Sequence, residues 1–126
     1  MSTVLVLGKG GREHAIVKCL ACSHKVRKIL VSPGHYGTLK EPRTQNIKMN
    51  IDDFPVDLVV VGSEDYLAKG VADECAKKGI PCFGPVAKCA RIETSKSYGK
   101  WIMGTLGIPT AKYTGLNYDY DNNYQI

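Results

Sequence analysis

The chain has 126 residues, is 44% hydrophobic, and carries 17 Lys and Arg against 12 Asp and Glu for a formal net charge of +5. That length suits one domain, and that apolar share supports a packed core, which excludes intrinsic disorder. The charge favours acidic ligands, but the basic residues are scattered without interleaved aromatics, so a small phosphorylated ligand uses it better than nucleic acid.

In chain order, Met1 to Leu7 is too short for a secretory signal and lacks a basic start. No later stretch approaches the ~20 apolar residues of a membrane span. The expectation is a soluble, cytoplasmic protein with no membrane partner. Residues 3–8 read as a buried strand, because Val4-Leu5-Val6-Leu7 is a continuous apolar run. The strand runs straight into Gly8-Lys9-Gly10-Gly11-Arg12-Glu13-His14. A strand that stops at glycines and turns into a helix builds an anion site, since backbone approaches the ligand and free N–H groups point at it.

That turn departs from a dinucleotide fingerprint, which needs Gly at its first, third and sixth positions. Gly8 and Gly10 fit, but Glu13 stands sixth and puts a carboxylate near the ligand. The fingerprint also wants an acid after the second strand. Here Ile29-Leu30-Val31 ends in Ser32-Pro33-Gly34. NAD is therefore disfavoured, and a phosphorylated ligand with polar groups for Arg12, Glu13 or His14 fits better. The plainer alternative is a tight strand-to-helix turn with no ligand.

Residues 12–22 read as a helix with Ala15, Ile16, Cys19 and Leu20 on one face. Residues 28–32 read as a second strand, with Pro33 to Thr38 as the loop at its carboxyl end. Residues 47–51 alternate like a strand, yet the next strand, 57–62, follows too soon for a parallel crossover of at least about 10–12 residues. Either 47–51 pairs antiparallel at an edge, or a crossover helix is missing near 52–57 and one sheet face is partly uncovered. Residues 66–78 read as a helix closed by Gly79, Cys82-Phe83 as a short strand, and 86–92 and 95–106 as two further helices. Lys112 to Thr114 could start another strand, and the tail from Leu116 to Ile126 is expected to be poorly ordered.

Alternating strands and helices imply an α/β fold with an open parallel sheet. Ligands on such sheets sit beyond the carboxyl ends of the strands. Three strand exits should therefore converge on one crevice: Gly8 to Glu13, Pro33 to Thr38, and Gly62-Ser63-Glu64-Asp65. The five cysteines are an odd number, and reduced thiols are expected. Cys19 and Cys22 form a CxxC at the end of a helix, without the helix N-terminus that activates a redox pair. Cys75, Cys82 and Cys89 lack metal-ligand spacing.

Together these segments resemble phosphoribosylamine–glycine ligase, also called glycinamide ribonucleotide synthetase, of the ATP-grasp superfamily. In many animals that enzyme is the first part of a trifunctional purine-synthesis protein. Val4 to Ala15 looks like the family's start almost letter for letter. Pro33-Gly34-His35-Tyr36-Gly37-Thr38 is similar to its Pro-Gly-Asn-Ala-Gly-Thr, with His35 and Tyr36 departing. Val59 to Ala68 resembles its Val-Val-Val-Gly-Pro-Glu-Ala-Pro-Leu-Ala, with Ser63, Asp65 and Tyr66 departing. Cys82-Phe83-Gly84-Pro85, then Glu93-Thr94-Ser95-Lys96 with Lys100 and Met103, then Gly107 to Ala111, follow in order.

The resemblance implies a Rossmann-like pre-ATP-grasp domain over residues 1–92 and the start of an incomplete ATP-grasp module over 93–126. It implies a ligase that phosphorylates the carboxylate of glycine with ATP. The amine of 5-phosphoribosylamine then attacks, giving glycinamide ribonucleotide, ADP and phosphate. Carried over residue by residue, Gly10, Gly11, Arg12 and Glu13 would contact the phosphoribosyl group, with Gly37, Thr38 and Glu64 at the other strand exits. Lys96 matches a lysine that reaches ATP phosphates, against the plain alternative of a solvated helix lysine. ATP and magnesium (or manganese) would serve the parent enzyme. Metal ligands and catalytic residues are expected outside this chain, which is expected to be inactive alone. The alternative is a non-catalytic phosphoribosyl- or nucleotide-binding module. Family members carry a helix where this chain has only Asp52 to Asp57.

Overall fold

The computed structural model describes residues 1–48 and 55–113. Among the described residues five strands form one sheet: β1 (Ser2–Gly8), β2 (Val26–Pro33), β3 (Thr44–Asn46), β4 (Leu58–Val61) and β5 (Cys82–Phe83). Their order is β3-β2-β1-β4-β5, and every neighbouring pair is parallel. The helices are α1 (Gly11–Ala21), α2 (Glu64–Ala68), α3 (Val71–Lys77), α4 (Ala87–Thr94) and α5 (Lys96–Thr105). This is the Rossmann-like open parallel sheet that the alternation of strands and helices implied. No helix of the described residues is long and apolar enough to cross a membrane.

The middles of the central strands, Val4 to Leu7, Ile29 to Val31 and Leu58 to Val61, are apolar because both faces are covered. On one face Val4, Val6, Ile29, Val31 and Val60 pack with Val17 of α1. On the other, Leu5, Leu7, Leu30 and Val59 pack with Leu67, Val71, Cys75 and Ala90 from α2, α3 and α4. Burial pushes the Cys82 thiol, beside Cys75, up to about 12. The chain leaves β1 outward to β2 and β3, then returns to β4 on the other side of β1. That reversal between β1 and β4 leaves a crevice at their carboxyl ends.

Several elements differ from the sequence reading. The edge strand is Thr44–Asn46, and it runs parallel to β2, pairing Ile29 with Thr44 and Val31 with Asn46. Of the alternating segment 47–51, Ile47 and Lys48 form no strand, and Ile47 packs against the core beyond β3. Residues 49–51 lie outside the described residues. The β2–β3 link carries only a 3-10 turn, Thr38–Lys40, and Arg43 donates from its guanidinium to the carbonyls of Ala21, Ser23 and Val26. Arg43 thereby satisfies backbone groups at and beyond the end of α1.

Residues 55–57 are not helical, and 52–54 lie outside the described residues. The face that a crossover helix would cover is not bare at these strands: Leu5 and Leu30 are each 1% exposed, and Ile47 and Val56 pack against them. Asp57 ties the start of β4 to β1, its carboxylate accepting the Thr3 N–H at 2.7 Å.

The helix expected over 66–78 is two helices, broken at Gly70, whose φ of +82 only glycine adopts without strain. The buried face of α1 is Glu13 and Val17, with Ile16 and Leu20 half-buried, while Ala15 and Cys19 face solvent. Residues 112–113 form no strand, and residue 114 and the tail lie outside the described residues.

Replacing Leu30, 1% exposed in the cluster on the second face, by alanine leaves a cavity in that cluster. Leu30→Ala is expected to lower unfolding free energy by about 2–5 kcal/mol, read as a shifted urea midpoint at unchanged slope.

Candidate functional site

β1 ends at Gly8, where φ is +134, and the chain turns through Lys9 and Gly10 into α1. Glu13 lies in the first turn of that helix and folds back. Its Oε2 accepts the Gly10 N–H at 2.5 Å, and the residue is 4% exposed. This is one half of a capping box, since Gly10 has no side chain to return the bond. The carboxylate lies over two strand ends. A Cβ on Gly8 would sit 2.5 Å from Glu13 Cδ, and a Cβ on Gly62, just after β4, would overlap Glu13 Oε1. Glycine at both positions is therefore a packing requirement. Glu13 stands where a fingerprint's third glycine would let the helix pack closely on the strand.

Across the crevice, α2 begins at Glu64. Arg12 Nη2 donates to Glu64 Oε2 at 3.1 Å, joining the two walls by an ion pair whose side chains are 60% and 42% exposed. The backbone N–H at the start of α2, then the Arg12 guanidinium, hold the Glu64 carboxyl below its ordinary value of 4.5. Between the walls lies a cavity of about 390 Å³. Gly8, Lys9, Gly10, Arg12 and Glu13 line one side, Pro33 the end of β2, and Ser63 to Tyr66 with Lys69 the other.

Residues 2–93 match the family model described as Phosphoribosylglycinamide synthetase, N domain. The chain belongs to this family. It is 39% identical over 120 residues to the human Trifunctional purine biosynthetic protein adenosine-3, covering 87% of this chain and 12% of that protein. It is 41% identical over 120 residues to Phosphoribosylamine--glycine ligase of Escherichia coli K12, covering 87% of this chain and 28% of the relative. The chain thus spans little more than a quarter of such single-activity relatives. The crystal structure of Phosphoribosylamine--glycine ligase from Thermotoga maritima superposes with a TM-score of 0.63 at 31% identity, over 87% of this chain and 26% of that one. The human alignment runs over 120 positions while taking in 87% of these 126 residues, about 110, so the relative carries about ten residues that this chain lacks.

Of the residues the sequence nominated, this member of the family brings Gly10, Arg12, Glu13 and Glu64 to the cavity wall. Gly11, Gly37, Thr38 and Lys96 do not line it. Lys96 is exposed at the start of α5. The expected convergence of three strand exits is a convergence of two, with only Pro33 added from the β2 loop.

Thr38 is fully buried, its hydroxyl 2.7 Å from Asn46 Oδ1 and accepting the His35 N–H at 3.0 Å. Asn46 Nδ2 in turn donates to His35 O at 2.7 Å. The loop is thus held against the edge strand. Its flank meets α1 through His14, which lies edge-on to His35 at 5.1 Å and 2.8 Å from Glu41 Oε1. Lys9, Asp65, Tyr66 and Lys69 line the cavity but were not singled out from sequence as ligand contacts. The signal for Asp65 and Tyr66 was present, since both depart from the family pattern. Among the described residues no three His, Cys, Asp or Glu side chains group to hold a metal ion.

Arg12→Ala removes the second and third causes of the low Glu64 value but leaves the first, the backbone N–H. The Glu64 carboxyl is expected to titrate higher than in wild type yet still below 4.5, read by carbon-detected NMR. A depressed folded-state value means the bridge helps stability above pH 4.5 and loses that help as pH falls through the folded value, so acid should narrow the difference between wild type and Arg12→Ala.

Proposed function

We propose that this chain is the substrate-holding amino-terminal domain of an ATP-dependent phosphoribosylamine–glycine ligase of de novo purine synthesis. Residues 1–92 hold 5-phosphoribosylamine, and 93–126 begin the module that handles ATP. The observation that carries this reading is the cavity at the carboxyl ends of β1 and β4, into which the start of α1 and Arg12 face. Such a site suits a phosphate on a sugar: backbone N–H groups and cations hold the anion, and Glu13 or Glu64 can accept from ribose hydroxyls.

In this reading Gly10, Gly11 and Arg12 serve the phosphoribosyl group, and Gly37 and Thr38 shape the wall from behind. Lys96 serves ATP once the rest of such a ligase is in place. ATP and magnesium (or manganese) would be held by other parts of the enzyme. The domain's own work is to bind and orient the sugar phosphate in the cytoplasm.

Isothermal calorimetry tests this. Ribose 5-phosphate is expected to give heat, ribose and NAD⁺ none, and Arg12→Ala is expected to weaken the sugar phosphate about tenfold, because the bridge to Glu64 that sets the cavity walls is lost. Supplied with glycine, ATP, magnesium and phosphoribosylamine, the chain alone is expected to give no glycinamide ribonucleotide. Absent heat with ribose 5-phosphate sinks the reading.

A further inference from the structure

Arg12 is the cation that the sequence assigned to the ligand, yet its Nη2 is already held by Glu64 at 3.1 Å. The start of α1 is likewise part-occupied, because Glu13 takes the Gly10 N–H at 2.5 Å. Two other cations line the same cavity: Lys9 in the glycine turn and Lys69 at the carboxyl end of α2. Among the described residues neither lysine forms an ion pair. Asp65 stands one turn before Lys69 on α2 without pairing to it.

We propose that Lys9 and Lys69 are the phosphate clamp of this cavity, closing on the anion from opposite walls, while the Arg12–Glu64 bridge holds those walls in register. The inference rests on the reading of the cavity as a sugar-phosphate site. The charges argue for it. Arg12 and Glu64 cancel, and Glu13 is compensated by the N-terminus of α1. Lys9 and Lys69 then outweigh Asp65, leaving net positive charge for a phosphate. Drawing Arg12 onto the ligand would break one charge-assisted bond to make another, whereas an unpaired ammonium makes a new one. Lysine also suits the place, since a point charge on a flexible stem reaches a phosphate without the fixed plane that a guanidinium demands.

Calorimetry with ribose 5-phosphate on the full chain tests this with Lys9→Gln, Lys69→Gln, the double variant, Lys69→Arg and, as a control for net charge, Lys18→Gln. Lys18 lies exposed on α1 outside the cavity. Each clamp variant is expected to weaken binding about tenfold and the pair about a hundredfold, with Lys69→Arg retaining most affinity and Lys18→Gln all of it. Added salt should weaken wild type more steeply than the double variant. Wild-type affinity in both single variants and the double overturns the clamp while leaving the sugar-phosphate site standing. An equal loss in Lys18→Gln overturns it too, because net charge would then suffice. A wild-type chain that gives no heat overturns the site and the clamp together. Lys9 and Lys69 are exposed, and if the turn fails to fold with Gln at position 9, Lys69→Gln alone decides.

Discussion

The site hangs on the Glu13 carboxylate turned back against the strand ends. A buried carboxylate is costly unless it is hydrogen-bonded and its charge is compensated. Here the Gly10 N–H and the positive end of α1 do both. In return the side chain occupies the space above Gly8 and Gly62, so the end of β1 and the residue just after β4 both lack a Cβ. That one contact sets where α1 begins, brings α1 and β4 to a common level, and gives the crevice a floor of backbone and carboxylate. A fingerprint's third glycine keeps that helix position small, and the Glu13 carboxylate standing there is the physical ground for disfavouring a dinucleotide.

Around this fixed floor the walls are exchangeable. The Arg12–Glu64 pair is largely exposed, and exposed pairs contribute little to stability because water and salt screen them. Such a bridge can position two elements without locking them. The rear wall is stiffer. Thr38, Asn46 and His35 close a hydrogen-bond circuit inside the β2–β3 loop, and His14 and Glu41 join that loop to α1. The front walls carry the cavity's exposed charges, Lys9, Arg12, Asp65 and Lys69 among them, whereas the rear wall is built round the buried Thr38 hydroxyl.

The parts legible in the sequence are those that local chemistry dictates. The runs Val4 to Leu7 and Val59 to Val61 can only be strands covered on both faces, and the glycine turn can only join strand to helix. Less local features misled. Thr38 sits in a family-like motif at a strand exit, which suggests ligand contact, but its hydroxyl is spent on Asn46, a partner eight residues away. Thr44 to Asn46 carries no apolar signal, because an edge strand can be held by backbone pairing alone. The face of α1 was misjudged because the capping geometry of Glu13 rotates a charged residue inward.

The amino-acid order therefore settles the element types, the parallel class of the sheet and the family, since hydrophobic period, turn residues and motif spacing are properties of neighbouring positions. Which cations are free to meet a ligand is a different kind of fact. It depends on Glu64 reaching Arg12 across 52 positions of chain, and on Lys9 and Lys69 arriving at one cavity from separate elements. Pairing of charges is set by distance in space, and that distance exists only once β4 has returned to lie beside β1.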